Sequence, residues 1–170
     1  MFLYKKEKKM KLRVINFEEV TKHYITFVDG KKEIQKTKEG FLQKIEPLRQ
    51  EMETIIKAAN SGLIVDQQSQ QQRMEKFRKL QEEAVGYDND FKYQFKEMND
   101  KLNVKVYDEL EQIIGDWAKE NDIDVVTGKM EVVYLKPEFD ATSDILEVLK
   151  NKKLFVEYQE ETDIKKERVS

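Results

Sequence analysis

Along two long stretches of the chain, apolar residues recur at alternating steps of three and four. The first stretch carries Ile34, Phe41, Ile45, Leu48, Met52, Ile55 and Ala59. The second carries Met74, Phe77, Leu80, Ala84, Tyr87, Phe91, Phe95, Met98, Leu102, Val106, Leu110, Ile113 and Trp117. Steps of three and four place such side chains in one stripe along a helix. Between the stripes lies Asn60-Ser61-Gly62-Leu63-Ile64-Val65-Asp66, where Gly62 suits a helix stop and Asp66 or Ser69 the start of the next helix. The pattern predicts an antiparallel helical hairpin of coiled-coil type over about residues 29–121, with its tip near 62–69. From Gly30 to Gly62 it would reach roughly 50 Å at 1.5 Å per residue. A hairpin of that length is an arm, and an arm acts mechanically or adhesively before it acts chemically.

The flanks read differently. Leu12-Arg13-Val14-Ile15-Asn16-Phe17 is a short β-type run, and Glu18 to Tyr24 a short helix. After the arm come Asp124-Val125-Val126-Thr127 and Glu131-Val132-Val133-Tyr134-Leu135, joined by the turn-type linker Thr127-Gly128-Lys129. Pro137 ends the second run, because proline cannot donate to a ladder. Asp140 to Lys152 predicts a helix with Thr142 or Ser143 as its cap and Ile145, Leu146, Val148 and Leu149 on its apolar face. Leu154 to Tyr158 reads as a last short strand. The expected architecture is α+β. Residues 11–28 and 122–158 make a small β-rich body, 29–121 the hairpin arm, and 1–10 and 159–170 flexible tails. A body of this size is marginal alone, and a two-helix arm leaves its stripe half covered. Both arguments point to oligomerisation through the strand-bearing body.

Composition sharpens the picture. Charged residues make up 38% of the chain, against about 25% in ordinary globular domains. Both signs are interspersed, as on a solvated helix face. The net charge of −3 gives no footprint for nucleic acid. Cysteine is absent, which removes disulfides, thiol catalysis and thiolate metal sites. No run is apolar enough to span a membrane. Met1-Phe2-Leu3-Tyr4 is too short for a secretory core and is followed by Lys5-Lys6-Glu7-Lys8-Lys9, so the chain as written is expected in the cytosol. His23, the single histidine, reads as a packing or surface residue. The pairs Glu82-Glu83 and Asp88/Asp90 read as surface, and Asp88-Asn89-Asp90 lacks the glycine and terminal glutamate of a calcium loop. The reading is a non-enzyme, with no catalytic residues, cofactor or metal.

The order strand, short helix, long hairpin, strands and short helix resembles the Skp/OmpH family of periplasmic holdase chaperones. Lys11-Leu12-Arg13-Val14-Ile15-Asn16-Phe17-Glu18-Glu19-Val20, followed by Tyr24, looks like the family's opening strand and helix. Val132-Val133-Tyr134-Leu135-Lys136-Pro137-Glu138-Phe139-Asp140-Ala141-Thr142-Ser143-Asp144-Ile145-Leu146 looks like its closing segment. The resemblance covers about residues 11–156. It implies a jellyfish-like homotrimer in which strands from three subunits form a central barrel and three arms enclose a cavity. Unfolded outer-membrane β-barrel proteins would be held there without ATP. The body residues implied are Val14, Ile15, Phe17, Val125, Val132, Val133, Tyr134 and Leu135. The family points to the periplasm where a signal precedes the chain.

A holdase needs exposed, dispersed apolar surface on adaptable elements. Candidates for client contact are Leu63, Ile64 and Val65 at the tip, the flexible Met52, Met74 and Met98, and Tyr93. Phe91, Tyr93 and Phe95 cannot all face the partner helix, so Tyr93 is expected to point elsewhere. A turn centred near Asp66 or Gln67 sets Pro47 opposite Gly86, and a helix breaker on each strand at one height predicts a hinge. The alternative reading is a structural coiled-coil scaffold or assembly factor of a larger particle, including one encoded by a virus. A scaffold would bury its arm residues against a fixed partner, whereas a holdase leaves them open.

Overall fold

The computed structural model describes residues 9–61 and 66–157. The elements in order are β1 (Leu12–Ile15), α1 (Phe17–Lys22), α2 (Ile25–Asn60), α3 (Gln67–Glu120), β2 (Val125–Gly128) and α4 (Thr142–Asn151), with single 3-10 turns at Lys129–Glu131 and Pro137–Phe139. The chain divides into two compact units. One gathers residues 1–30 and 102–170, and the other is 31–101. Helices α2 and α3 contribute to both.

In the 31–101 unit, α2 and α3 run antiparallel. The rings of Phe41 and Phe91 stack with centroids 4.3 Å apart, and Phe95 continues the contact at 5.5 Å from Phe91. Lys31 Nζ donates to Asn99 Oδ1 at 2.9 Å, and Lys76 pairs with Glu51. Ile34, Ile45 and Leu80 are buried. Most of the stripe is only half covered, as two helices alone require. Asp66 starts α3: Oδ1 accepts from Ser69 N–H at 2.9 Å and Oδ2 from the Ser69 hydroxyl at 2.7 Å. These bonds satisfy helix-start donors and hold the Asp66 carboxyl below its usual range. Gly62, the expected stop, lies outside the described residues. Met74, expected in the seam, is 74% exposed. Two successive steps of three turn it about 120° away from Leu80, which does face α2.

In the other unit, β1 and β2 form a two-stranded parallel sheet in the register Leu12↔Val125 to Ile15↔Gly128. Parallel neighbours need a long crossover, and here α1, α2 and α3 all lie between them. Val14, Val20, Leu110, Ile145 and Leu149 are almost fully buried, with Tyr24, Leu102, Val106, Ile114 and Trp117 around them. The core therefore takes in α3 from Leu102 onward, beyond the 122–158 body read from sequence. Ile114, outside the expected stripe, is buried, while Ile113 is half-buried. Asn16 ends β1, and its side chain accepts from Glu19 N–H to open α1. Phe17 thus begins a helix rather than closing a strand.

Several strand expectations are corrected. The unit is mainly helical, not β-rich. Glu131 to Leu135 is no strand: Glu131 ends a 3-10 turn, and Val132 to Leu135 find no ladder partner among the described residues. Without a partner the alternating pattern has no backbone bonds to close. Thr127-Gly128-Lys129 is not a hairpin turn, since Gly128 ends β2 and Lys129 begins the 3-10 turn. Leu154 to Tyr158 reduces, over its described part, to one antiparallel bridge between Tyr24 and Phe155. Ile25 N–H donates to Leu154 O at 2.9 Å beside it, and Val156 N–H to His23 O at 2.8 Å. Neither Thr142 nor Ser143 caps α4. Asp140 Oδ1 accepts from Thr142 N–H at 3.0 Å and from its hydroxyl at 2.6 Å, which leaves Thr142 as the first helical residue.

Candidate functional site: open apolar surface on the hairpin and beside the sheet

Several large apolar side chains of the hairpin stand exposed. Met74 and Tyr93 are largely exposed, and Met52 and Met98 are half-buried. Leu63, Ile64 and Val65 lie outside the described residues. Tyr93 stands clear of the Phe41–Phe91–Phe95 stack, in accord with the alternation of the three aromatics. Leu42, Ile56 and Val85 are also exposed. Sequence reasoning missed these three because they lie off the periodic stripe. The available signal was an apolar residue standing off it among charged neighbours.

Towards the turn end of the two helices lies a groove of about 870 Å³. Its walls include Ile55, Ile56 and Ala59 of α2 and Met74 and Phe77 of α3, with Gln67, Gln70, Arg73 and Arg78 on its polar side. Further along, α2 continues through Pro47 and α3 through Gly86. An added Cβ at Gly86 would meet nothing within 4 Å.

The body residues expected to bring copies together split into two groups. Val14 and Ile15 are buried in the chain's own core. Phe17 is half-buried, its ring tilted against Tyr107 at 5.4 Å. Val132 and Leu135 are half-buried. Val125, Val133 and Tyr134 are exposed, as is the unforeseen Met130. Val133 is entirely open, Met130 95% and Tyr134 77% exposed. Four exposed apolar side chains thus lie on β2 and in the segment that follows it.

Polar side chains tie the chain ends to α3. Glu109 accepts from the Tyr24 hydroxyl at 2.6 Å and from the Thr26 hydroxyl at 2.9 Å. The Tyr24 bond, helped by Thr26 and Lys105, holds the Glu109 carboxyl below its usual range against the opposing effect of burial. Burial first, and the neighbouring Glu109 second, push the Tyr24 phenol up. Asp140 is likewise held low, chiefly by the Thr142 hydroxyl. His23 packs as expected: its ring stacks on Phe155 at 4.9 Å and Nδ1 lies 3.0 Å from Val156 O. Asp88, from the calcium-like triplet, sits in α3 and pairs with Lys92 at 2.6 Å. These bonds tie the start of α2 to α3 and fix the start of α4.

The arrangement defines a class: a protein organised around a long helical hairpin whose chain ends fold into a small α+β unit. The chain belongs to the OmpH-like family of outer membrane proteins, whose sequence model matches residues 11–149. A solved structure with the same fold is that of a candidate outer membrane chaperone, OmpH-like, from Caulobacter crescentus CB15. The two share 13% identity at a TM-score of 0.64, over 89% of this chain and 90% of that one. Among curated proteins none matches. No helix among the described residues is long and apolar enough to cross a membrane.

Proposed function

We propose that the protein is an ATP-independent holdase that binds unfolded client proteins. It works as a homotrimer, with clients held between the hairpins of three chains. The observation that carries this reading is the open apolar surface of the hairpin, at Leu42, Ile56, Met74, Val85 and Tyr93. These side chains are dispersed among charges, so each contact is weak and the sum is multivalent. Membership of a family of chaperones rather than enzymes supports the same reading. The trimer is supported by the exposed Met130, Val133 and Tyr134, where strand pairing between copies would supply the missing ladder partners. Pro47 and Gly86 serve as the flexible point of the hairpin, letting it adapt to clients of different size. The clients fitting this reading are outer-membrane β-barrel proteins, and the compartment is the periplasm.

The test is aggregation of a denatured β-barrel membrane protein diluted from urea, followed by light scatter. One trimer per client should keep it soluble without nucleotide. Unchanged aggregation would overturn the reading. A scaffold would instead bury the same side chains against a fixed partner, and a dye for open apolar surface would then stay dark on the assembled particle.

A further inference from the structure

The groove towards the turn end of the hairpin carries a cation that its surroundings leave unmatched. Arg73 is half-buried on the groove wall. It has no carboxylate or hydrogen-bond partner among the described residues. The groove's other arginine, Arg78, pairs with Glu82 at 3.6 Å. Lys76, on the same helix, is matched by Glu51. Glu75 also borders the groove but forms no ion pair with Arg73. The groove lining mixes the apolar Ile55, Ala59, Met74 and Phe77 with glutamines and Glu75.

A partly desolvated guanidinium is costly unless a partner returns the hydrogen bonds it loses. Its planar fork matches a carboxylate through two parallel bonds, more strongly than a neutral acceptor. We propose that this groove binds a segment of unfolded chain in which apolar residues flank a carboxylate, with the carboxylate on Arg73 and the flanks on Met74, Phe77 and Ile55. The inference rests on the holdase reading for the class of ligand, and adds a sequence preference to it. Clients rich in apolar segments interrupted by a single aspartate or glutamate, or ending in a free carboxylate, would be captured first at this point.

The experiment uses the full chain and two short labelled peptides, identical and apolar except for a central Asp in one and Asn in the other, read by fluorescence anisotropy. The acidic peptide should bind about tenfold more tightly at low salt, the size of one charge-assisted pair. Arg73→Gln should abolish that difference while leaving the neutral peptide unchanged. Met74→Ser, at an exposed position, should weaken both peptides. Equal binding of the two peptides by the native chain would overturn the proposal. So would Arg73→Gln weakening both alike, for the side chain would then be a wall and not a partner. Client aggregation run in parallel separates the two readings. If the native chain and Arg73→Gln protect a client equally and the peptides are not distinguished, the groove preference falls and the holdase stands. If the peptides are distinguished while clients aggregate freely, the groove stands and the holdase falls.

Discussion

Replacing Gly30 with alanine adds a methyl group where the structure has least room for one. The new Cβ would lie 2.3 Å from Leu102 Cδ1, 2.8 Å from Cδ2 and 3.1 Å from Cγ. Leu102 is buried, so it cannot swing aside freely. Alanine in a helix interior is favoured over glycine by about 1 kcal/mol. Overpacking a well-filled site costs about 1–3 kcal/mol. The expected net effect of Gly30→Ala is therefore a loss of about 0–2 kcal/mol. Gly86→Ala supplies the control, since its Cβ meets nothing within 4 Å and the substitution should stabilise by up to about 1 kcal/mol. The assay is urea unfolding followed by helical circular dichroism at one fixed protein concentration. Leu102→Ala alone should cost about 2–5 kcal/mol. In that background Gly30→Ala should become stabilising, and the sign change isolates the contact. If Gly30→Ala raises the unfolding midpoint as much as Gly86→Ala does, the close approach of α2 and α3 at this level is wrong.

Five further outcomes follow from the same geometry. Ile145→Ala, at a fully buried position of α4, should destabilise by about 2–5 kcal/mol in the same unfolding assay. Tyr24→Phe should cost about 1–2 kcal/mol by removing a hydrogen bond to a carboxylate. Because the folded state depresses the Glu109 carboxyl, its contribution is present above the unfolded pKa and lost as pH falls through the folded one. Glu109→Gln should therefore flatten the acid limb of stability against pH. Paired substitution of Val133 and Tyr134 by lysine should leave helical content unchanged and reduce the assembly to single chains on light scattering. Gly86→Ala, while stabilising, should lower the capture of large clients in the aggregation assay if the hairpin flexes at that level.

The hairpin was legible because its seam repeats: the three- and four-residue steps located both long helices, and Asp66 marked the start of α3. The chain-end unit was less so. Val132 to Leu135 alternates like a strand, yet a strand is a relation between two segments and the single chain offers this one no partner. The same limit hid the deeper role of α3 from Leu102 onward, whose residues look like more arm but include the buried Leu102, Val106, Leu110, Ile114 and Trp117 of the chain-end unit. Thr142 does not cap α4 because its hydroxyl is taken elsewhere, accepting from Asn16 N–H and donating to Asp140 Oδ1. At the candidate site, Met74 and Tyr93 were identified by residue type and alternation. Leu42, Ile56 and Val85 were not, because off-stripe positions carry no periodic signal. Arg73 could not be singled out at all, since its lack of a partner is a fact of geometry.

The most direct test of the account is absolute mass by light scattering, taken first on the protein alone and then with one denatured β-barrel membrane protein added. The account expects a single species of about 61 kDa, three chains of 20.3 kDa, that gains the mass of one client and stays monodisperse. A species of 20.3 kDa, or a trimer whose mass does not change while the client precipitates, would contradict it.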